Sequence, residues 1–315
     1  MSRLVLVLIL FLVSSYALEQ KAPTYSLKAS GAVQSMVYNN ELLYAGTDNG
    51  TVEIFDTKTK ELVKTIEIPK IKDFMGDMIP SKVYSIDLFE DKLIIVAQGM
   101  KGYRNLWIYE KENLKKLIGI EKKYFMQRAS FLSDSKIIFA LLSNQLGVFD
   151  IEKNEVILLS QISQSSFSHF MLNENRSKVA TTDESGIVRI LKTSDLVVEK
   201  ELEALNLDRV YQVDFKRGKI LTAGQDRKAV FYDSFSSYAL NFDFLLYSCA
   251  LSKNAKYGAI AFNEENEILV FNTSSKKYLY KLTGQDATLT QILFLSDNEI
   301  FASSDSQIIN FWSLK

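Results

Sequence analysis

Apolar and polar residues alternate along this chain in short bursts, and the bursts come in a fixed order. "VQSMVY" (residues 33–38), "LLYAGT" (42–47), "TVEIFD" (51–56) and "LVKTIEI" (62–68) each alternate with period two, the mark of half-buried strands. "TDNGT" joins the second to the third, and its Asn49-Gly50 pair is a strong signal for a tight hairpin. These four strands, a to d, make one unit, and the unit recurs. Strand c closes on an aromatic or aliphatic residue plus one more at Asp56, Glu110, Asp150, Lys192, Asp233, Asn272 and Trp312. Subtraction gives spacings of 54, 40, 42, 41, 39 and 40. "TDESG" and "GQDRK" fill the same turn slot in later units. Four strands per unit at a period near 40 predict an all-β, seven-bladed β-propeller.

A column of alanines supports the register. Ala45, Ala97, Ala140, Ala180, Ala223, Ala261 and Ala302 precede the closing residues by 10 to 13 positions. The expectation is that they mark one place where converging blades leave no room for larger side chains. The seventh unit stops at Lys315 after strand c. "TYSLKAS", residues 24–30, is expected to supply its outer strand, so that the N-terminal strand closes the ring and removes an exposed edge.

On these repeats the chain resembles WD-repeat propellers over essentially all of residues 18–315. It departs from them in lacking the Trp-Asp ending and Gly-His start of each repeat. The buried Ser–His–Asp–Trp hydrogen-bond set of that family is therefore absent, and packing is expected to replace it. The overall pattern and the "DFMGDMIP" stretch also resemble accessory propellers encoded with some bacterial periplasmic nitrate reductases. That resemblance implies a non-catalytic accessory factor, not an enzyme. It would bind a protein partner, the reductase or its maturation proteins, and support that enzyme's maturation or function.

The first segment reads as separate from the fold. "MSRLVLVLILFLVSSYA" has one charge at Arg3, an apolar run from Leu4 to Val13, and small residues before Ala17. It predicts a signal peptide cleaved after residue 17, leaving 18–315 in the periplasm with no membrane anchor. An uncleaved anchor is the alternative, although the run is short for a bilayer span. No cysteine lies near the cleavage site, which argues against a lipoprotein.

Composition narrows the chemistry. Lys+Arg is 37 and Asp+Glu is 38, so there is no basic footprint for nucleic acid. With one Cys and one His, neither an ordinary zinc or haem site nor a disulfide can be built, and no metal or cofactor is expected. Cys249 lies in the apolar run "LLYSCAL", where a buried, inert thiol is the simple reading. No phosphate-binding loop or nucleophile elbow is present.

Two candidate sites remain. Aligning the first strands places Ser35, Ser85, Arg128, His169, Gln212, Ser248 and Gln291 in one ring around the channel. They could bind a small polar ligand, as an enzymatic or ligand-binding propeller would, or simply border a hydrated channel. Asp87 and Asp214 lie two positions further on. The second candidate is an insert at 67–82, between strand d of blade 1 and strand a of blade 2. Blade 2 also has the longest b–c turn, "QGMKGYRNL" (98–106). Both irregularities belong to one face, so Phe74, Met75 and Met78 are expected near Met100, Tyr103 and Arg104 as a docking lobe. Apolar, Met and Arg side chains are favoured at interfaces. The competing expectation is a plug, with Phe74 and Met78 folded back over blades 1 and 2.

Overall fold

The structure, a computed structural model, describes residues 18–234 and 236–315. The expected signal peptide, 1–17, lies outside the described residues. Seven sheets surround a central channel, six of them built on four consecutive antiparallel strands and the seventh on three consecutive strands joined by one from the N-terminal segment. Their inner strands are Val33–Asn39, Val83–Phe89, Met126–Ser133, Phe167–Leu172, Val210–Lys216, Cys249–Leu251 and Leu289–Ser296. Each touches the next, and the seventh touches the first, so the ring is closed. In blade 1 the other strands are Leu42–Thr47, Thr51–Asp56 and Leu62–Glu67, within a residue of the alternation seen in the sequence.

Closure is made by the N-terminal segment. Tyr25–Lys28 pairs antiparallel with Ile308–Ser313, with Tyr25 opposite Phe311 and Lys28 opposite Ile308. Leu27 and Ala29 are buried there, and the Tyr25 ring stacks on Phe311 at 4.6 Å. A further strand was not legible in the sequence. Glu19–Lys21 runs parallel to Tyr278–Leu282 as a fifth strand on blade 6. The three residues are polar and mostly exposed, so no alternation announces them.

The hydrophobic core is divided among the seams between blades. One cluster joins Leu27, Phe301 and Phe311 of blade 7 to Val33, Met36 and Phe55 of blade 1. Another joins Val96 and Leu106 of blade 2 to Phe131, Phe139 and Phe149 of blade 3. Burying each such side chain contributes about 1.5–3 kcal/mol. The fold is held by many equivalent seams rather than by one centre.

The alanine column needs correction. All seven alanines are buried on strand b, but they do not share one register. Ala140 and Ala223 lie opposite the ring residues Arg128 and Gln212, whereas Ala45 and Ala302 are shifted by one residue, opposite Met36 and Ile292. A shift of one residue turns a strand side chain to the other face. Ala140, Ala180, Ala223 and Ala261 accordingly pack into the seam with the following blade, and Ala45, Ala97 and Ala302 into the seam with the preceding one. The second group has its own reason to be small. Each pairs across to a buried polar residue of strand c: Ala45 with Glu53, Ala97 with Asn105, Ala302 with Asn310.

Those polar residues correct a second expectation, that packing alone replaces the missing family hydrogen-bond set. The Glu53 carboxylate accepts the Ser30 backbone N–H at 3.1 Å, tying blade 1 to the outer strand of blade 7. The Asn310 amide donates to the Gly284 carbonyl at 2.8 Å. In blade 4, the buried Asp183 carboxylate accepts from Arg189 at 2.7 Å and from Asn144 of blade 3 at 2.9 Å. Removing one partner of such a buried pair costs about 3–5 kcal/mol. Polar ties between blades are therefore kept, with other residues.

Candidate functional site

Two places were nominated by the sequence, the channel ring and the insert. The structure brings the ring residues to equivalent positions along the inner strands, with Ser248 just ahead of Cys249–Leu251, and gives most of them a structural task. Each of five accepts a hydrogen bond from the next blade, always at the backbone N–H one residue past that blade's own ring residue. The Ser35 hydroxyl accepts from Ile86 at 3.2 Å, Ser85 from Ala129 at 3.4 Å, and His169 Nδ1 from Val213 at 3.4 Å. Gln212 Oε1 accepts from Cys249 at 3.0 Å, and Gln291 Oε1 from Met36 at 2.7 Å. Ser248 instead donates back to Gln212 Oε1 at 2.7 Å.

Asp87 and Asp214 repeat the device one layer further along the channel. Asp87 accepts from the Phe131 N–H at 2.8 Å, and Asp214 from the Leu251 N–H at 2.7 Å. In both layers the side chain reaches the inner strand of the next blade. No spacing in the sequence announced this role, because the partner is a backbone group about one blade away. The alternation of aspartate with apolar residues in "YSIDLF" and "YQVDFK" was the available signal.

His169 is held neutral by its surroundings. Burial depresses its pKa well below the usual imidazole value, and the nearby Arg128 charge adds to the effect. With Nδ1 accepting from Val213, the proton sits on Nε2. The Cys249 thiol is buried, and burial raises its pKa well above the usual value, so the reactive thiolate is suppressed.

Arg128 is the exception in the ring. As a cation it cannot accept the N–H that its neighbours accept. Its guanidinium lies 5.7 Å from the Phe170 ring of blade 4. Its Nε is fully shielded with no hydrogen-bond partner, and it makes no ion pair among the described residues. Burial lowers its pKa, and the fields of Asp87 and Asp214 act in the opposite direction. It faces a channel cavity of about 320 Å³.

The insert forms a small hairpin in which Ile71–Lys72 pairs with Met78–Ile79. Its tip is built on Asp73, whose carboxylate accepts the Asp77 N–H at 2.9 Å, and on Gly76, at φ +94°. Its base is tied down by the Ser81 hydroxyl, which donates to the Pro69 carbonyl at 2.6 Å. The base rests on the Asn49-Gly50 turn of blade 1, where a Cβ on Gly50 would meet the Ser81 nitrogen at 2.9 Å. Phe74 is 99% exposed, Met75 79% and Met78 56%, so the tip does not fold back as a plug.

The blade 2 turn is held by different neighbours. The Tyr103 ring packs on Phe125 at 4.8 Å, and the Arg104 backbone donates to the Tyr124 carbonyl at 3.0 Å. The Arg104 guanidinium lies 3.6 Å from the centre of the Tyr84 ring and donates to the Met126 carbonyl at 2.5 Å. Both residues are thus engaged toward blade 3. Met100 is partly exposed beside them. The Gln98 N–H at the start of this turn donates to the carbonyl of Lys82 at the foot of the insert at 2.8 Å, while no hydrogen bond, ion pair or ring contact joins the turn to the 71–79 hairpin itself among the described residues. The three hairpin residues and the three turn residues are thus held by different partners. Phe125, 42% exposed, packs beside Tyr103 and had no signal in the sequence. No group of three or more metal-ligating side chains occurs among the described residues.

Comparison with known proteins bears on the fold. No protein-family model matches this chain, and no curated protein matches it by sequence. Among solved structures it is similar to the crystal structure of the Cps50 (Swd1) β-propeller domain of Myceliophteria thermophila, with a TM-score of 0.73. Identity is 13%, and the match covers 93% of this chain and 99% of that one. At this identity the likeness concerns architecture, and with the seven sheets described above it identifies the chain as a seven-bladed β-propeller.

Proposed function

We propose that this protein is an exported, non-catalytic propeller that anchors a protein partner on the 71–79 hairpin. The observation that carries the reading is the exposure of Phe74, Met75 and Met78 on one short tip. Solvated apolar side chains gain most when a partner covers them, and a few such anchors dominate the energy of an interface. The hairpin ladder and the Ser81–Pro69 bond fix the stalk, which lowers the entropy cost of docking. Methionine adapts its shape to the surface it meets. The partner is a protein of the same compartment. The resemblance in the sequence makes a periplasmic nitrate reductase, or one of its maturation proteins, the first to try.

The test is a triple variant, Phe74→Ser, Met75→Ser and Met78→Ser. Its melting temperature should stay within about 2 °C of the parent, because the tip contributes nothing to a seam. Binding to purified reductase or to a maturation protein, followed by calorimetry, should weaken by about tenfold or more, since each anchor is worth about 1.5–3 kcal/mol when covered. Unchanged affinity in the folded variant overturns the hairpin as the docking site. Absence of binding by the parent chain to any of these proteins removes the named partner.

A further inference from the structure

We propose that the central channel is a receptor for a small oxyanion or carboxylate, held by the Arg128 guanidinium. A guanidinium presents a planar fork of donors that matches two oxygens of one anion. Among the described residues the Arg128 side chain makes no hydrogen bond or ion pair, and its Nε is shielded inside a closed ring, on an inner strand held in place by the Ser85 and Asp87 ties. An unpaired guanidinium is unfavourable in such a place unless something completes it. The cavity in front of it, about 320 Å³, continues into a second of about 290 Å³ that also has Arg128 in its wall. That size is at the low end for ligand pockets and suits an anion of a few heavy atoms.

The charges around the channel favour an anion. The two cavities are bordered by four cations (Arg128, Arg176, Lys216, Lys253) and three acids (Asp87, Glu174, Asp214). Asp87 is paired with Arg176 at 3.0 Å, and Asp214 has Lys216 at 3.5 Å. The Glu174 carboxylate accepts the Arg217 N–H at 2.6 Å. Both aspartates also accept a backbone N–H, so neither turns to Arg128. His169, neutral with its proton on Nε2, offers a further donor beside the fork without adding charge. The site is independent of the hairpin, which belongs to the end of the propeller carrying the b–c turns. The cavity lies toward the C-terminal ends of the inner strands, with Lys216, Leu251 and Leu295 in its wall.

The experiment is a thermal melt of the full chain with inorganic phosphate, acetate or succinate, against sodium chloride at equal ionic strength. Calorimetry then gives stoichiometry. At about ten times the dissociation constant, one bound anion should raise the melting temperature by about 2–5 °C. The three salts separate an oxyanion receptor from a carboxylate receptor. No stabilisation beyond chloride by any of them overturns the proposal. Arg128→Gln should abolish the shift, and a shift that survives in this variant also overturns it. If Arg128→Gln does not fold, Arg128→Lys keeps the charge and loses the fork. Its affinity should fall about tenfold or more, and an unchanged affinity counts against the site.

Discussion

At the scale of single residues, the polar ring is mainly a set of bonds between neighbouring blades, and the bonds differ in quality. Gln291 makes two, accepting from Met36 N–H at 2.7 Å and donating to the Met36 carbonyl at 3.0 Å across the seam where the ring closes. Gln291→Leu leaves both backbone groups unpaired and should cost about 1–3 kcal/mol, read as a lower urea midpoint. Ser85 makes contacts of 3.4 and 3.5 Å, so Ser85→Ala should cost less than about 1 kcal/mol. Equal losses in the two variants would show that the bonds are not what the ring contributes. His169 adds a dependence on pH. Its folded pKa lies below the unfolded value of 6.5, so the unfolded chain binds a proton that the native ring refuses. Its contribution is complete above pH 6.5 and is lost as pH falls below 6.5 toward the depressed folded pKa, by at most about 1.4 kcal/mol per pH unit. His169→Gln should flatten the fall in stability between about pH 6.5 and 5, measured by urea titration at each pH. An unchanged slope would assign the fall to other groups.

At the scale of elements, the sequence disclosed the strands because their signal is local. Alternation in "VQSMVY" and the Asn49-Gly50 turn are decided within a few residues, and both appear where the pattern places them. Gly50 adopts φ +77° and sits against Ser81. Gly50→Ala would combine backbone strain with a clash against the insert base, and should lower stability by about 1–2 kcal/mol in a thermal melt. Gly76 has an open surrounding at φ +94°, so Gly76→Ala should show strain alone and a smaller loss. What the sequence concealed depends on distance. The ring residues could be aligned, but their acceptor roles depend on the next blade. The position of Arg104, against Tyr84 and Met126, depends on which neighbour the turn leans toward. The alanines could be counted, but their division between two seams depends on a register shift of one residue. The exposed tip of the insert fell between these cases. Its mixture of Phe74, two methionines and two aspartates is visible in sequence, but whether it projects or folds back is set by the Asp73 turn and the Ser81 tie.

At the scale of the whole molecule, the ring is closed by pairing the N-terminal segment with the last blade, and the two N-terminal strands carry unequal weight. Glu19–Lys21 adds to the outer edge of blade 6 with mostly exposed side chains. Tyr25–Lys28 covers the edge of blade 7, buries Leu27, and places the Tyr25 ring against Phe301 and Phe311. It also positions the Ser30 N–H on the Glu53 carboxylate, and the Ser26 hydroxyl donates to Asn310 at 2.6 Å. A chain beginning at residue 23 loses only the first strand. It should keep the parent melting temperature to within about 3 °C, since surface changes outside the core are usually small. A chain beginning at residue 31 loses the closing strand. Two buried aromatic contacts, Leu27 and the partner of Glu53 go together, with about 1.5–3 kcal/mol at stake for each large side chain. The exposed edge of Ile308–Ser313 becomes a template for pairing with another copy. The second truncation should therefore melt at least about 10 °C lower, or aggregate, and size-exclusion chromatography should detect the association. Equal stability of the two truncated chains would mean that the ring holds through its seams without the closing strand. A collapse already in the shorter truncation would move the closure to the fifth strand of blade 6.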